Sequence, residues 1–225
     1  MGNYEKSVQS PVMVSSHEVR WFLEGSIDQH PELRRWVETG AADPKWTGRL
    51  GGKPDAYLIV PGAADMGIKW REGQLQIKGL ESSLGTQGFV GSHEGQVERW
   101  IKWSYEGKSI EEAFGHWFTG GNVVPRTIEV HKTRCLRKVR ISPFSPTPIE
   151  VDSKSQIDRG GALEVTDLRV GAQAYTSVAF EAFPNDSGMH GDFTVFVNGF
   201  LGKLAGVKLT ASNSRSYPGW LQTLA

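Results

Sequence analysis

Apolar and polar residues alternate along much of the chain. In a strand, residues i and i+2 share a face. This period predicts strands at about 16–24, Asp55–Val60, 68–71, 74–78, 96–105, Arg126–Arg134, Leu136–Ile141, Leu163–Val170 and Ser177–Phe183. Glu72-Gly73 supplies turn chemistry between the third and fourth of these, which makes them a hairpin. Helical spacing occurs in four places. Leu33, Trp36 and Val37 follow Pro31, which a first helical turn tolerates. Ser109-Ile110-Glu111-Glu112 is a capping-box start, with Ile110, Ala113, Phe114, Trp117 and Phe118 on one face. Phe193, Phe196, Val197, Phe200, Leu201 and Leu204 form a third apolar face, and a short helix is predicted from Pro218. Residues 1–15 read as a flexible N-terminal arm, and Ser142–Pro148, with three prolines, as a loop. The fold class expected is α+β: an antiparallel closed β-barrel of about eight strands, flanked by helices, forming a single domain over 16–225.

The residues that alternate with the apolar ones change this picture. Lys69 shares a face with Arg71, Gln76 with Lys78, and Lys132 with Arg134. Glu98, Trp100 and Lys102 share another, as do Glu18 and Arg20. An ordinary half-buried sheet would turn such faces to water. A closed barrel can instead turn them inward, with Ile68, Trp70, Leu75, Ile77, Ile101 and Trp103 outward against helices. The inward set would then hold seven cations (Arg20, Lys69, Arg71, Lys78, Lys102, Lys132, Arg134) and four carboxylates (Glu18, Glu98, Glu164, Glu181). A lumen with that surplus attracts polyanions, and low-dielectric walls strengthen its field. Arginine forks and lysine point charges both bind phosphate oxygens.

The 225 residues carry 25 basic and 25 acidic side chains, so the formal net charge is zero. That argues against a general nucleic-acid coat or a polybasic membrane binder, but it leaves room for a local basic site. One cysteine, Cys135, excludes an intrachain disulfide framework. It lies at the opposite parity to Lys132 and Arg134, away from the lumen. The six histidines form no closely spaced ligand pair. No Gly-x-Ser-x-Gly elbow, Walker loop or dinucleotide fingerprint is present. No apolar run suits a membrane span, and a cytoplasmic protein is expected.

In their order, these motifs resemble the CYTH superfamily, the triphosphate tunnel metalloenzymes. Glu18-Val19-Arg20-Trp21-Phe22 sits where that family has its first Glu-x-Glu-x-Lys, and Lys69-Trp70-Arg71 resembles its Arg-x-Arg strand. Gln76-Ile77-Lys78, Glu98 with Lys102, Lys132-Thr133-Arg134 and Ala179-Phe180-Glu181 resemble the strands that follow. Ser216-Tyr217-Pro218-Gly219-Trp220 is similar to the closing Ser-Tyr-x-x-Leu segment. The resemblance implies a tunnel that binds a triphosphate or other polyanionic phosphorylated ligand, with metal-dependent hydrolysis or binding alone as its use. A structural or interaction barrel is the alternative. Lys69, Arg71, Lys132 and Arg134 are then the candidate catalytic residues. Arg20, Lys78, Lys102 and Trp100 are candidate ligand contacts, with Trp100 either stacking on an aromatic moiety or narrowing the bore. Glu18, Glu98 and Glu181 are the candidate ligands for Mg²⁺ or Mn²⁺. The chain departs from the family pattern at Arg20 and Ala179, where the family has carboxylates, and at Phe22, where it has lysine. The partner implied is a phosphorylated small molecule or polyphosphate, with no specific nucleic acid.

Overall fold

The computed structural model describes residues 12–40, 45–48, 53–71, 74–106, 126–142 and 145–225. Ten strands form one antiparallel sheet: β1 (Val12–Glu24), β2 (Trp46–Thr47), β3 (Asp55–Ile59), β4 (Met66–Arg71), β5 (Gln74–Phe89), β6 (His93–Glu106), β7 (Arg126–Ser142), β8 (Ser145–Val151), β9 (Gly160–Val170) and β10 (Gln173–Phe183). Eight of them close into a ring in the order β7-β3-β4-β5-β6-β1-β10-β9, with β9 pairing back onto β7. Among the described residues three α-helices accompany the sheet: α1 (Pro31–Glu38), α2 (Met189–Leu201) and α3 (Tyr217–Gln222). The protein is therefore α+β.

Closure depends on the length of β7. Its first residues pair with β3 on one side (Val130 opposite Asp55), and its later ones pair with β9 on the other (Arg134 opposite Thr166). The sequence predicts two strands here, because its apolar–polar alternation slips at Leu136-Arg137, but a single strand forms in which Cys135, Arg137 and Val139 stay buried on one face. The loop expected at Ser142–Pro148 is largely β8. Among the described residues β8 pairs with β7 alone, and Pro148 falls at such a sheet edge within the register shift of that pairing, where proline is tolerated. Of the arm expected at 1–15, residues 12–15 are strand instead, since β1 begins at Val12 and pairs with β6 from there, and residues 1–11 lie outside the described residues. The helix expected at 110–118 lies outside the described residues.

Alternation sorts the side chains into two layers. Outside the ring, Val19 and Trp21 of β1, Val178 and Phe180 of β10, and Leu163 and Val165 of β9 pack under α1 and α2. Trp36 of α1 lies 6.4 Å and Phe196 of α2 lies 5.4 Å from the Phe180 ring. Trp21 is fully buried and donates from Nε1 to the Glu94 carbonyl at 2.7 Å. That approach requires glycine at 95, because a Cβ there would stand 2.5 Å from the Trp21 ring and 2.6 Å from Val19. On the inward faces, Phe22, Tyr57, Ile59, Ile128, Val130 and Leu168 pack with Trp220 and Leu221 of α3. The segment leading into α3 is fastened to β1, where the Arg20 carbonyl accepts from Arg215 N–H at 3.1 Å and from Ser214 Oγ at 2.9 Å. The Ser216 hydroxyl caps α3 by accepting from Gly219 N–H at 3.1 Å. An apolar cluster thus occupies one part of the interior and leaves the rest to polar groups.

Candidate functional site

That polar remainder is a cavity of about 720 Å³, and every strand of the ring contributes to its wall. All eleven residues of the predicted inward set line it, and so does Trp100. The reason is register. Glu18 stands opposite Glu98 on β6 and Glu181 on β10, and Lys78 stands opposite Lys102. Alternation on one strand therefore fixes the facing of its neighbours. The wall also holds Lys53, Asp55, Tyr57, Arg215 and Tyr217. Nine cations face five carboxylates there, a surplus of four in a chain of zero net charge.

The charges fall into three groups. In the first, Asp55 is shared by three cations: Lys132 Nζ at 3.0 Å, Lys69 Nζ at 3.5 Å and Arg71 Nε at 3.5 Å. Burial opposes ionisation of Asp55, but these cations hold its carboxyl below the usual range. Lys132 is enclosed further. Its Nζ is 2.5 Å from Tyr57 Oη, 4.3 Å from the centre of the Tyr217 ring and 4.9 Å from that of Tyr57. Burial, and then the charge of Lys69, pull Lys132 down to about 7 against the attraction of Asp55. Burial also lowers Lys69, and it keeps the Tyr57 and Tyr217 hydroxyls protonated well above their ordinary value.

In the second group, Arg20 and Arg134 each reach Glu164 at 3.3 Å. Burial would raise this carboxyl, yet Arg20, Arg134 and Lys132 together bring it down to about 2. The third group is the row Glu98–Glu18–Glu181 across β6, β1 and β10. Glu18 pairs with Lys78 and accepts from Ser16 Oγ at 2.7 Å. Lys78, overcoming burial, keeps Glu18 below the usual carboxylate range. Glu98 accepts from Trp100 Nε1 at 2.9 Å, while burial and the neighbouring Glu18 push its carboxyl up.

This geometry bears on the metal expected from the resemblance. Among the described residues no three acids, histidines or cysteines come together as a ready ion site. Glu18 is already neutralised by a lysine, Glu98 is occupied by an indole N–H, and the wall around them is cationic. A hard divalent ion needs several oxygen ligands, and this donor set does not fit one as it stands. Trp100 is only 2% exposed, and Lys78 Nζ covers its ring at 5.7 Å, so it offers little surface for stacking and bears on the cavity through Glu98 and Lys78.

Asp55 and Tyr57 escaped sequence reasoning although they share a strand face, because a lone i, i+2 pair on a five-residue strand carries little signal. Lys53, Arg215 and Tyr217 lie outside strands, where alternation does not reach. Cys135 is buried on the outer side, and burial pushes its thiol up to about 11, so it is an inert packing residue. Comparison with protein-family models and with curated proteins finds no match. No helix among the described residues is long and apolar enough to cross a membrane.

Proposed function

We propose that the ring is a barrel whose interior is a tunnel, and that it binds a triphosphate or another polyanionic phosphorylated ligand. One observation carries this reading: nine cations and five carboxylates converge on one cavity from every strand of the ring. Several cations acting on one chain of phosphates favour the longer anion, and the low-dielectric wall limits screening. Arg71 and Arg134 supply forked contacts, while Lys69, Lys102 and Lys132 supply point charges. The apolar cluster around Trp220 backs the cavity and keeps water from part of it. A CYTH-like origin agrees with the order of the basic strands, and the occupied carboxylates favour binding over turnover.

Titration calorimetry tests the reading. At low ionic strength tripolyphosphate is expected to bind more tightly than orthophosphate, and added salt should weaken it steeply. Arg71→Ala or Arg134→Ala should each cost roughly 1.5–3 kcal/mol of binding, the range for a hydrogen bond to a charged group. Equal affinity for the two anions, or no binding at low salt, would overturn it. Phosphate release from tripolyphosphate should be slow or absent with Mg²⁺ or Mn²⁺ present. Brisk metal-dependent release would show instead that the carboxylate row can rearrange around an ion.

A further inference from the structure

Alternation gives every strand of the ring a second face, turned away from the cavity. On β3–β6 the residues between the lining ones are apolar: Leu58 of β3, Ile68 of β4, Leu75 and Ile77 of β5, and Ile101 and Trp103 of β6. Register sets them side by side. Leu58 stands opposite Ile68, Ile68 opposite Ile77, and Ile77 opposite Trp103. Trp103 also lies over Gly79 of β5, where a Cβ would stand 3.4 Å from its ring. These side chains make one apolar surface across four strands. Each is only half-buried, and neither the buried cluster under α1 and α2 nor the one around α3 includes any of them. A contiguous apolar surface of this kind on a folded chain marks a contact.

Chain connectivity says what makes that contact. β6 ends at Glu106, which stands opposite Gln74, and Gln74 stands opposite Arg71. β7 begins at Arg126, opposite Ile59 on the far side of β3. Strands β5, β4 and β3 lie between those two points in the ring. Residues 107–125 join them and therefore pass either across the lumen or over the outer face of these strands. Their spacing carries an apolar stripe of Ile110, Ala113, Phe114, Trp117 and Phe118, which fits poorly among the nine cations of the cavity and matches the outer face. Length agrees as well. Strands lie about 4.8 Å apart, so the crossing covers about 20 Å, and a helix of about ten residues supplies about 15 Å of it.

We propose that the outer face of β3–β6 is the docking surface of residues 107–125, which lay their apolar stripe across it. Glu112 and His116 fall on the opposite side of that stripe and face water. The proposal goes beyond anion binding and does not rest on it. The two are linked through the strands, because the inner faces of β4–β6 carry Lys69, Arg71, Lys78 and Lys102. The docked segment thus backs a basic wall of the cavity.

A benzophenone side chain placed at Phe114, and in a second variant at Trp117, reads the contact when the full chain is irradiated. Both exchanges keep an aromatic group at the position. Adducts should map by peptide mass spectrometry to the outward residues of β3–β6, and the product should run as a monomer on a denaturing gel. Phe114→Glu should lower the midpoint of thermal unfolding by at least about 4 °C, because it sets a charge against an apolar surface, whereas Glu112→Gln should leave it within about 1 °C. Adducts on α1, on α2 or on the cavity lining overturn the proposal. Adducts between chains do so too, and would give the face to a second copy. Equal midpoints for Phe114→Glu and Glu112→Gln would also overturn it, since the stripe would then bury nothing.

Discussion

Glu164 stabilises the protein and restrains its site at once. It holds Arg20 and Arg134, each at 3.3 Å, and so partly neutralises two of the guanidinium groups that line the cavity. Its carboxyl sits at about 2 against an ordinary 4.5. The folded value lies below the unfolded one, so its contribution is complete above pH 4.5 and is lost as pH falls from there towards 2. That difference corresponds to roughly 3 kcal/mol. Glu164→Gln should therefore lower stability at pH 7 by about that much, with less loss at pH 3, as read by urea unfolding. The same variant should bind tripolyphosphate more tightly in calorimetry, since it frees both arginines and raises the surplus charge. Stability that increased, or affinity that fell, would contradict this account. Glu164 was legible in the sequence because its strand alternates, whereas Asp55 was not, although it organises three of the nine cations. A carboxylate at the first position of a short strand has no alternating neighbours to reveal its facing.

Strand and helix also meet where α2 packs on β1, which is paired between β6 and β10. His17 is fully buried there, with its ring centre 5.9 Å from those of His190 and Phe193, and its Nδ1 finds no hydrogen-bond partner among the described residues. Burial, then the charges of Arg99 and His190, lower it to about 4, with Asp186 opposing. The depressed value means that the neutral ring is the one that folds. Stability is complete above the ordinary value of 6.5 and is lost as pH falls from 6.5 through 4. At most roughly 3 kcal/mol is at stake. His17→Phe should flatten that acid limb of the stability curve, and an unchanged limb would show that His17 is not its source. Gly95 makes the complementary prediction. Gly95→Ala drives a methyl into Trp21 and Val19 and should destabilise by about 1–3 kcal/mol, seen as a lower midpoint in thermal melts. Helical spacing revealed α1 and α2 in the sequence, and period 2 revealed part of each strand of the ring, while β8 read as a loop and the two-residue β2 was too short to show. The histidine pair was hidden because His17 and His190 come together only when α2 docks.

At the scale of the whole molecule, the ring converts a local rule into a global one. Each strand's parity was readable alone, but whether the charged faces turned inward or outward depended on closure, which rests on the two-sided pairing of β7. A ligand that bridges walls from opposite strands should stabilise the entire ring. Tripolyphosphate at a hundred times its dissociation constant should add about 2.7 kcal/mol to unfolding, and orthophosphate at the same concentration much less. Differential scanning calorimetry at low salt reads the difference, and identical shifts from both anions would count against a site spanning the cavity. Closure has a second result, in how copies of the chain behave towards each other. A strand with unpaired amides invites another molecule to add to it, and this route to self-association is shut along the ring because each of its strands is bonded on both sides. The seven-residue strand β8 flanks the ring as an outer edge, and there Pro146 and Pro148 withhold two amide donors from any incoming chain. Replacement of those prolines by threonine should increase light scattering at high concentration while leaving anion binding intact.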